Sequence, residues 1–334
     1  MEENKNNGIN ITYYRPLFHR RILADVIDAL LMLLLALLCF VGIRAIFQST
    51  DEYQMRNTRM NTNREESGLY VKYNNKYSLL SDYYYADSSN VSASEMMVSY
   101  EKGMDTFLVY LEDSVGDEAK TTVQEDYDAF RLSVKDSGGL YYFVNDGGTI
   151  KKNSASSATY SDYSSNVYKP YYEDHAEGYF TVYAPHYVED SHYFANIFLF
   201  VEVPVSILVA SIVIFYIPPL FFKRGRQTIG KFLYKIGRVD KDTLAVSFWR
   251  YTAESAILIF AVVMLSLFTL GIPLIISFSL MAFSKKKQDF ADYMLSINEI
   301  DLNFGKIYYS YDEVELESLK KENTHVDFKM EEKE

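Results

Sequence analysis

The segment from His19 to Phe47, HRRILADVIDALLMLLLALLCFVGIRAIF, places three charged residues at the start of a long apolar run. Arg21, Asp25 and Asp28 are spaced at i, i+4 and i+7, so they share one stripe of an α-helix. Charged side chains at membrane depth are costly, and chains that keep them usually have a partner or a use for them. A carboxylate in such a place can exchange a proton for Na⁺, because burial favours its neutral form. The other interpretation is that both acids stay in the interfacial layer and only anchor the helix.

Three apolar blocks dominate the hydropathy pattern, at residues 22–47, 194–222 and 255–283. Each exceeds the ~20 residues that a helix needs to cross the hydrocarbon core. They predict an α-helical multi-pass membrane protein with three or four transmembrane helices, at 22–47, 194–222 and 251–284. The first block is too long for an ordinary signal peptide and lacks a cleavage site, so we expect a retained anchor. Gly271 and Pro273 interrupt the third block, which therefore either crosses once or doubles back as a short hairpin.

Basic residues flank these blocks unevenly, and lysine and arginine favour the cytoplasmic side. Arg15, Arg20 and Arg21 precede the first block, and seven lysines and arginines lie between Lys223 and Lys241. We therefore expect residues 1–21, the loop 223–250 and the charged tail 285–334 to be cytoplasmic. Residues 48–193 then lie outside the cell membrane. The lysines at 285–287 agree with a cytoplasmic tail, in which DEVELESLKKEN predicts a short solvated helix.

The segment 48–193 is acidic and rich in tyrosine. It holds 12 Lys and Arg against 24 Asp and Glu, an excess that equals the net charge of −12 of the whole chain. Such a surface disfavours nucleic acid and anionic lipid and attracts cations. Apolar residues at spacings of three and four in SEMMVSYEKGMDTFLVYLEDSV predict an amphipathic helix with a core-facing stripe. Tyrosines and the turn residues Pro170, Gly178 and Pro185 predict strands in VYKPYYEDHAEGYFTVYAPHYV. The expected domain is thus α+β, with turns at DSGGL and NDGGT and a flexible loop over 152–166.

Catalytic and metal-binding motifs are missing from the sequence. His175, His186 and His192 stand among acids but lack tight ligand spacing, so no metal site is predicted. There is no GxSxG, HExxH, P-loop or EF-hand pattern, and Cys39 is the single cysteine. We expect neither an enzyme nor a cofactor.

Three short segments resemble the RDD family of bacterial integral membrane proteins, which is named for one arginine and two aspartates. RRILADVID is similar to its opening motif. GRQTIGKFLYKIGRVDKD is similar to a second, with Ile229 where a proline is usual, and KKKQDFADYML to its closing segment, with Ala291 where a histidine is usual. The resemblance implies that the naming residues are Arg21, Asp28 and Asp292. It also implies a membrane protein, and some relatives are associated with sodium/proton exchange.

Other charged residues extend this set. Glu202 precedes Pro204 in the second block, where a proline frees backbone carbonyls beside a carboxylate; the alternative is that it reaches out to the outer interface. Glu254 is expected to pair with Arg250 at i,i+4 spacing. The cytoplasmic cluster Arg226, Thr228, Gly230 and Lys231 is interpreted as facing anionic lipid head groups, rather than a ligand.

Two functions follow from these patterns. The first is ion transport of the Na⁺/H⁺ exchange type, through an intramembrane charge site of Arg21, Asp25, Asp28, Glu202 and Asp292. The second is a membrane-anchored extracytoplasmic binding or scaffold module without transport activity, which the large tyrosine-rich insert favours. The expected partners are the lipid bilayer, Na⁺ or H⁺, and further copies of the chain, with no nucleic acid.

Overall fold

The computed structural model describes residues 13–86, 90–284 and 287–319, which are mostly helical. Three helices are long and apolar enough to cross a membrane. We call them the first, second and third apolar helices: Phe18–Gln48, Tyr187–Phe221 and Phe248–Phe268. The short apolar helix, Ile272–Phe283, follows the third. The architecture is that of a multi-pass helical membrane protein, as the three apolar blocks predict.

The chain divides into two compact units. The membrane unit consists of the described residues of Met1–Ile46 and Phe198–Glu334, and the inserted unit is Phe47–Ile197. Two predictions reach beyond the described residues: the first two lysines of the 285–287 triplet and the tail from residue 320 onward lie outside them. The predicted tail helix is present over residues 311–319.

In the membrane unit, a turn ends the third apolar helix and reverses the chain. Gly271 has a φ of +83°, a left-handed conformation that glycine adopts without strain, and it begins the short apolar helix. That helix packs against the third apolar helix. Strand β5 (Ile236–Val239) lies before these two helices and pairs antiparallel with β6 (Asn298–Asp301), which lies after them. The segment between the two strands therefore starts and finishes at the same end of the membrane unit.

The N-terminal residues meet this strand pair as well. The backbone N–H of Asp301 donates to the Tyr14 carbonyl at 2.8 Å, and the Arg20 guanidinium pairs with the Asp301 carboxylate. Two short helices, Ile229–Leu233 and Phe290–Leu295, flank the strands. Chain segments before the first apolar helix, after the second and after the short apolar helix thus converge on one end of the unit.

The apolar helices of the membrane unit are not uniformly α-helical. They contain π-helical stretches at Phe198–Glu202, Ile212–Tyr216 and Ile257–Met264. Such stretches are commonly found at functional sites.

The inserted unit has mostly helices and two small hairpins. Its helices are Asp51–Ser67, Leu80–Ala86, Ala93–Ser114 and Asp117–Ser133, followed by a helical region over residues 160–183 and by Tyr187–Ile197. That region comprises Tyr160–Tyr163, Lys169–Tyr171 and Glu177–Tyr183 with π-helical turns at Ser164–Tyr168 and Tyr172–Ala176. The hairpins pair β1 (Tyr70–Tyr73) with β2 (Lys76–Leu79) and β3 (Phe143–Asp146) with β4 (Thr149–Lys152). Gly147 and Gly148, both with positive φ, form the second hairpin's turn at the predicted NDGGT site.

The core of the inserted unit is built from aromatic side chains. The predicted amphipathic helix is present as Ala93–Ser114, begins at a Ser92–Glu95 capping box, and buries its predicted stripe of Met97, Tyr100, Met104, Phe107, Leu108 and Leu111. Two buried tyrosines of the inserted unit donate hydrogen bonds to this helix. The Tyr172 hydroxyl donates to the Tyr100 carbonyl at 2.7 Å, and the Tyr168 hydroxyl donates to the Glu101 carboxylate at 2.6 Å. The tyrosines therefore serve as core residues with a polar end that finds a partner.

The predicted strands of residues 167–188 are wrong, because this segment is helical. Its fully buried residues are Val167, Tyr168, Tyr171, Tyr172, Ala176 and Phe180, which recur at a helical spacing. Helix Glu177–Tyr183 ends immediately before Ala184 and Pro185, so the proline marks a helix end rather than a turn between strands. The α+β description of this unit is accordingly replaced by a mainly helical one.

Candidate functional site

Asp28 joins the first apolar helix to the loop that follows the second. Its carboxylate accepts hydrogen bonds from the Thr228 hydroxyl and, at 2.8 Å, from the Gly230 backbone N–H. Thr228 also caps the helix Ile229–Leu233, since its hydroxyl accepts from the Lys231 N–H. A Cβ on Gly230 would lie 2.1 Å from the Ala24 carbonyl oxygen, so only glycine permits this approach. Asp28 is held by neutral donors, and its charge is not neutralised by them.

Glu299, on β6, bridges two cations. Its carboxylate pairs with the Arg21 guanidinium and, at 2.6 Å, with the Lys231 ammonium, and all three side chains are buried. Burial acts to raise the pKa of Glu299, but the charges of Lys231 and Arg21 outweigh it and lower that pKa to about 2. Burial and Arg238 act to lower the pKa of Lys231, yet the carboxylates of Glu299 and Asp25 raise it overall. These ions therefore remain charged at neutral pH.

A second buried pair links β5 to the third apolar helix. Arg238 Nη1 lies 2.7 Å from Glu254 Oε2, with side chains 2% and 1% exposed. The expected pairing of Glu254 with Arg250 is wrong, because Arg250 instead faces Asp240 at 3.6 Å. Glu254 therefore pairs with Arg238 of β5, which lies in the interior, and not with its i−4 neighbour on the same helix.

Asp292 is buried without a direct hydrogen-bond partner for its carboxyl group among the described residues. Its side chain is fully inaccessible, and neither carboxyl oxygen accepts a hydrogen bond from any described residue. Its backbone N–H donates to Asp289, which caps the helix Phe290–Leu295. Burial raises the pKa of Asp292 well above its usual range, and the nearby carboxylates of Asp289 and Glu254 raise it further. The protonated form is therefore strongly favoured at this position.

Together these side chains form what we call the buried charge cluster. Its carboxyl groups outnumber its cations: the buried Asp28, Glu254, Asp292 and Glu299 and the partly buried Asp25 and Asp289 stand against Arg21, Lys231 and Arg238. Burial and this excess of carboxyl groups both favour the neutral form of a carboxyl in the cluster.

A cavity of about 370 Å³ opens beside the cluster inside the membrane unit. Five charged side chains line it: Asp25, Asp28, Asp289, Lys231 and Arg238. Apolar side chains from the first, second, third and short apolar helices form the remaining wall, together with Ser277 and Thr228. Among the residues that the structure describes, no group of three or more His, Cys, Asp and Glu is arranged to hold a metal ion.

The elements that build this site coincide with a known family pattern. Residues 176–296 match the model of the RDD family. This region of the chain has the sequence pattern of the RDD family. No curated protein and no solved structure matches the chain. The RDD region contains Thr228, Gly230, Lys231 and Asp292, whereas Arg21 and Asp28 lie outside the matched residues, in the first apolar helix.

The structure distributes the predicted site residues over different surroundings. Arg21, Asp25, Asp28 and Asp292 belong to the buried charge cluster, but Arg21 pairs with Glu299 rather than with its helical neighbour Asp25. Glu202 is buried, with 3% of its surface exposed, and it does not line the cavity.

The lipid-facing interpretation of the basic RDD motif is wrong for three of its four residues. Thr228, Gly230 and Lys231 are buried within the protein, because the hydrogen bonds to Asp28 and the ion pair with Glu299 draw them inward. Arg226 is half-buried, and its guanidinium lies over the Tyr251 ring at 5.3 Å from the centroid. Gly230 is a helical residue at a close backbone approach to Ala24.

Sequence reasoning missed Arg238, Asp289 and Glu299. Arg238 and Glu299 sit on strands of four residues each, too short for their alternation to show which charges point inward. Asp289 could have been found from the sequence. It is an aspartate three residues before Asp292, in a pattern typical of a helix N-cap.

The depressed pKa of Glu299 predicts an acid-sensitive membrane unit. A carboxylate with a lowered folded-state pKa contributes stability that is present above its unfolded pKa and lost as the pH falls towards 2. We expect the free energy of unfolding to fall as the pH is lowered from about 5 to 2. The fluorescence of Trp249, the chain's single tryptophan, measures this unfolding. Glu299→Gln should be less stable at pH 5 and should lose that part of the pH dependence. An identical pH dependence in both proteins would contradict this.

Proposed function

We propose that this RDD-family membrane protein exchanges protons for a monovalent cation of the Na⁺ type through the buried charge cluster. The observation that carries the proposal is Asp292, a fully buried carboxyl whose oxygens have no hydrogen-bond partner among the described residues. A carboxyl in that state holds a proton, and it releases the proton when a cation supplies the missing compensation.

The cavity is the proposed site of the exchange. Asp25 and Asp289 line it, and Asp289 receives the Asp292 backbone N–H, so a cation attracted to the cavity comes close to the proton-bearing carboxyl. The paired ions Arg238–Glu254 and Lys231–Glu299 hold the surrounding wall in place. In this role the protein carries out no covalent chemistry.

The proposal includes an orientation. The convergence of the N-terminal residues, β5 and β6 at one end of the membrane unit supports placing all three on one side of the membrane. The basic residues of these segments favour the cytoplasm. The inserted unit then faces the exterior. Its tyrosines fill its own core, so their number no longer favours a binding module as the main function.

Asp292→Asn is the test of this function. We expect Na⁺-driven proton movement in everted vesicles to fall to background, because asparagine fills the same volume but cannot carry the exchanged proton. Since asparagine is neutral without having to bind a proton at pH 7, we also expect stability at neutral pH to be equal or higher.

Glu202→Gln is the matched control, since it neutralises a buried carboxylate that does not line the cavity, and we expect it to retain transport. The proposal fails if the wild-type protein, shown to be folded and inserted, moves no protons. It also fails if Asp292→Asn, shown to be folded and inserted, moves protons as well as the wild type does.

A further inference from the structure

The cavity of the membrane unit has two chemically different ends. Along the first apolar helix, the lining residues pass from Asp25 and Asp28 to Met32 and Leu33. At 1.5 Å per residue, this run covers about 12 Å. The short apolar helix adds Leu274 and Phe278 to the apolar wall. A single ligand of that length would touch carboxylates at one end and hydrocarbon at the other.

The polar end has an unbalanced negative charge. Its two cations are already paired with carboxylates that do not line the cavity: Lys231 with Glu299 and Arg238 with Glu254. The carboxylates of Asp25, Asp28 and Asp289 do line it, and Asp28 is held by neutral donors. The head of a ligand placed here therefore meets net negative charge and spare hydrogen-bond acceptors.

The size of the cavity fits a small organic molecule. Its volume of about 370 Å³ falls within the roughly 300–1,000 Å³ of typical ligand pockets, which combine apolar walls with a few placed polar groups. The first, second, third and short apolar helices all contribute to the wall, so the ligand would contact several elements of one unit.

We propose that this cavity binds an amphiphile with an ammonium head and an apolar tail. The tail gains little over the surrounding bilayer, because lipid chains are as apolar as the cavity wall. Selectivity comes from the head, which the carboxylates of Asp25 and Asp289 accept through charge and hydrogen bonds. An anionic head of the same size would be repelled.

This inference deepens the proposed function, since it names an organic cation as a ligand of the same cluster. Transport of that ligand would rest on the proposed function, but its binding would not. Binding is measured without a proton gradient. Loss of Na⁺-driven proton movement with retained binding would therefore remove the function alone, and the converse result would remove the inference alone.

The test compares two amphiphiles of equal chain length on the full-length protein purified in a maltoside detergent. Dodecylammonium and dodecanoate are added separately at low concentration, and native mass spectrometry counts the molecules retained per chain. We expect dodecylammonium to be retained at least tenfold better. Equal retention of both, or a preference for dodecanoate, would overturn the proposal.

Three variants locate the binding. Asp25→Asn should reduce dodecylammonium retention about tenfold by removing a carboxylate from the polar end. Ala29→Phe should reduce it by filling the cavity, and Glu202→Gln should leave it unchanged, because Glu202 does not line the cavity. Unfolding followed by Trp249 fluorescence confirms that each variant is folded. Retention by folded Asp25→Asn and Ala29→Phe at the wild-type level would also overturn the proposal.

Discussion

Arg238→Met is expected to lower the free energy of unfolding of the membrane unit by about 3–5 kcal/mol, because it leaves the buried Glu254 carboxylate without its partner. Both side chains of this pair are almost completely inaccessible, so water cannot replace the lost guanidinium. Trp249 lies at the start of the third apolar helix, and its fluorescence during denaturant titration in mild detergent reports on this unit.

Removing both charges should reverse most of that loss. In Arg238→Met/Glu254→Leu, two apolar side chains of similar volume replace the ion pair, and buried pairs replaced in this way often prove neutral. The exposed pair Arg224–Glu313, at 2.8 Å, offers a matched control, and Arg224→Met should change stability by less than about 1 kcal/mol. A double variant as unstable as the single one would show that Arg238 acts through something other than Glu254.

Gly230→Ala is expected to destabilise the membrane unit by about 3 kcal/mol, at the upper end of the cost of overpacking. The new methyl group would lie 2.1 Å from the Ala24 carbonyl oxygen and 3.0 Å from the Asp28 carboxyl carbon. The Ala24 carbonyl is backbone and the Asp28 carboxyl is held by hydrogen bonds, so the helix Ile229–Leu233 would have to move away and lose its hydrogen bond to Asp28.

Gly42→Ala is the control for this substitution. Gly42 lies in the first apolar helix, and a Cβ there meets nothing within 4 Å. Alanine has the higher helix propensity, by about 1 kcal/mol, so this variant should be as stable as the wild type or slightly more stable. Equal stability of Gly230→Ala and Gly42→Ala would contradict the close approach.

Hydropathy alone predicts that the chain is an integral membrane protein, because a run of some 20 apolar residues has few other interpretations. The amphipathic helix Ala93–Ser114 is predictable for a similar reason, since its buried stripe keeps the helical period through 22 residues. The helical region over 160–183 is missed because tyrosine favours strands, and that preference conceals the helical spacing of Tyr168, Tyr171 and Tyr172.

The candidate site is predictable only in part. Arg21, Asp25 and Asp28 share a stripe of one helix, so their proximity follows from spacing. Their partners do not, because Glu299 is 278 residues from Arg21 and reaches it through the pairing of β5 with β6. Glu254 likewise meets Arg238 across a strand and a helix, and no local rule prefers that pair to Arg250.

Because Glu299 follows Arg21 and Lys231 in the chain, the ribosome makes the two cations of this ion bridge before their shared carboxylate. Arg21 and Lys231 emerge from the ribosome well before Glu299, and at about 5–20 residues per second the 278 residues from Arg21 to Glu299 take roughly half a minute. Until Glu299 is made, Arg21 lacks this partner, and so does Lys231 once it has been synthesised; uncompensated positive charge favours retention of a segment in the cytoplasm. Once Glu299 is synthesised, it neutralises them and they become buried. In the orientation proposed above, the same two charges would first direct insertion and later become part of the folded interior, and a chain that ends before Glu299 would keep its cations exposed.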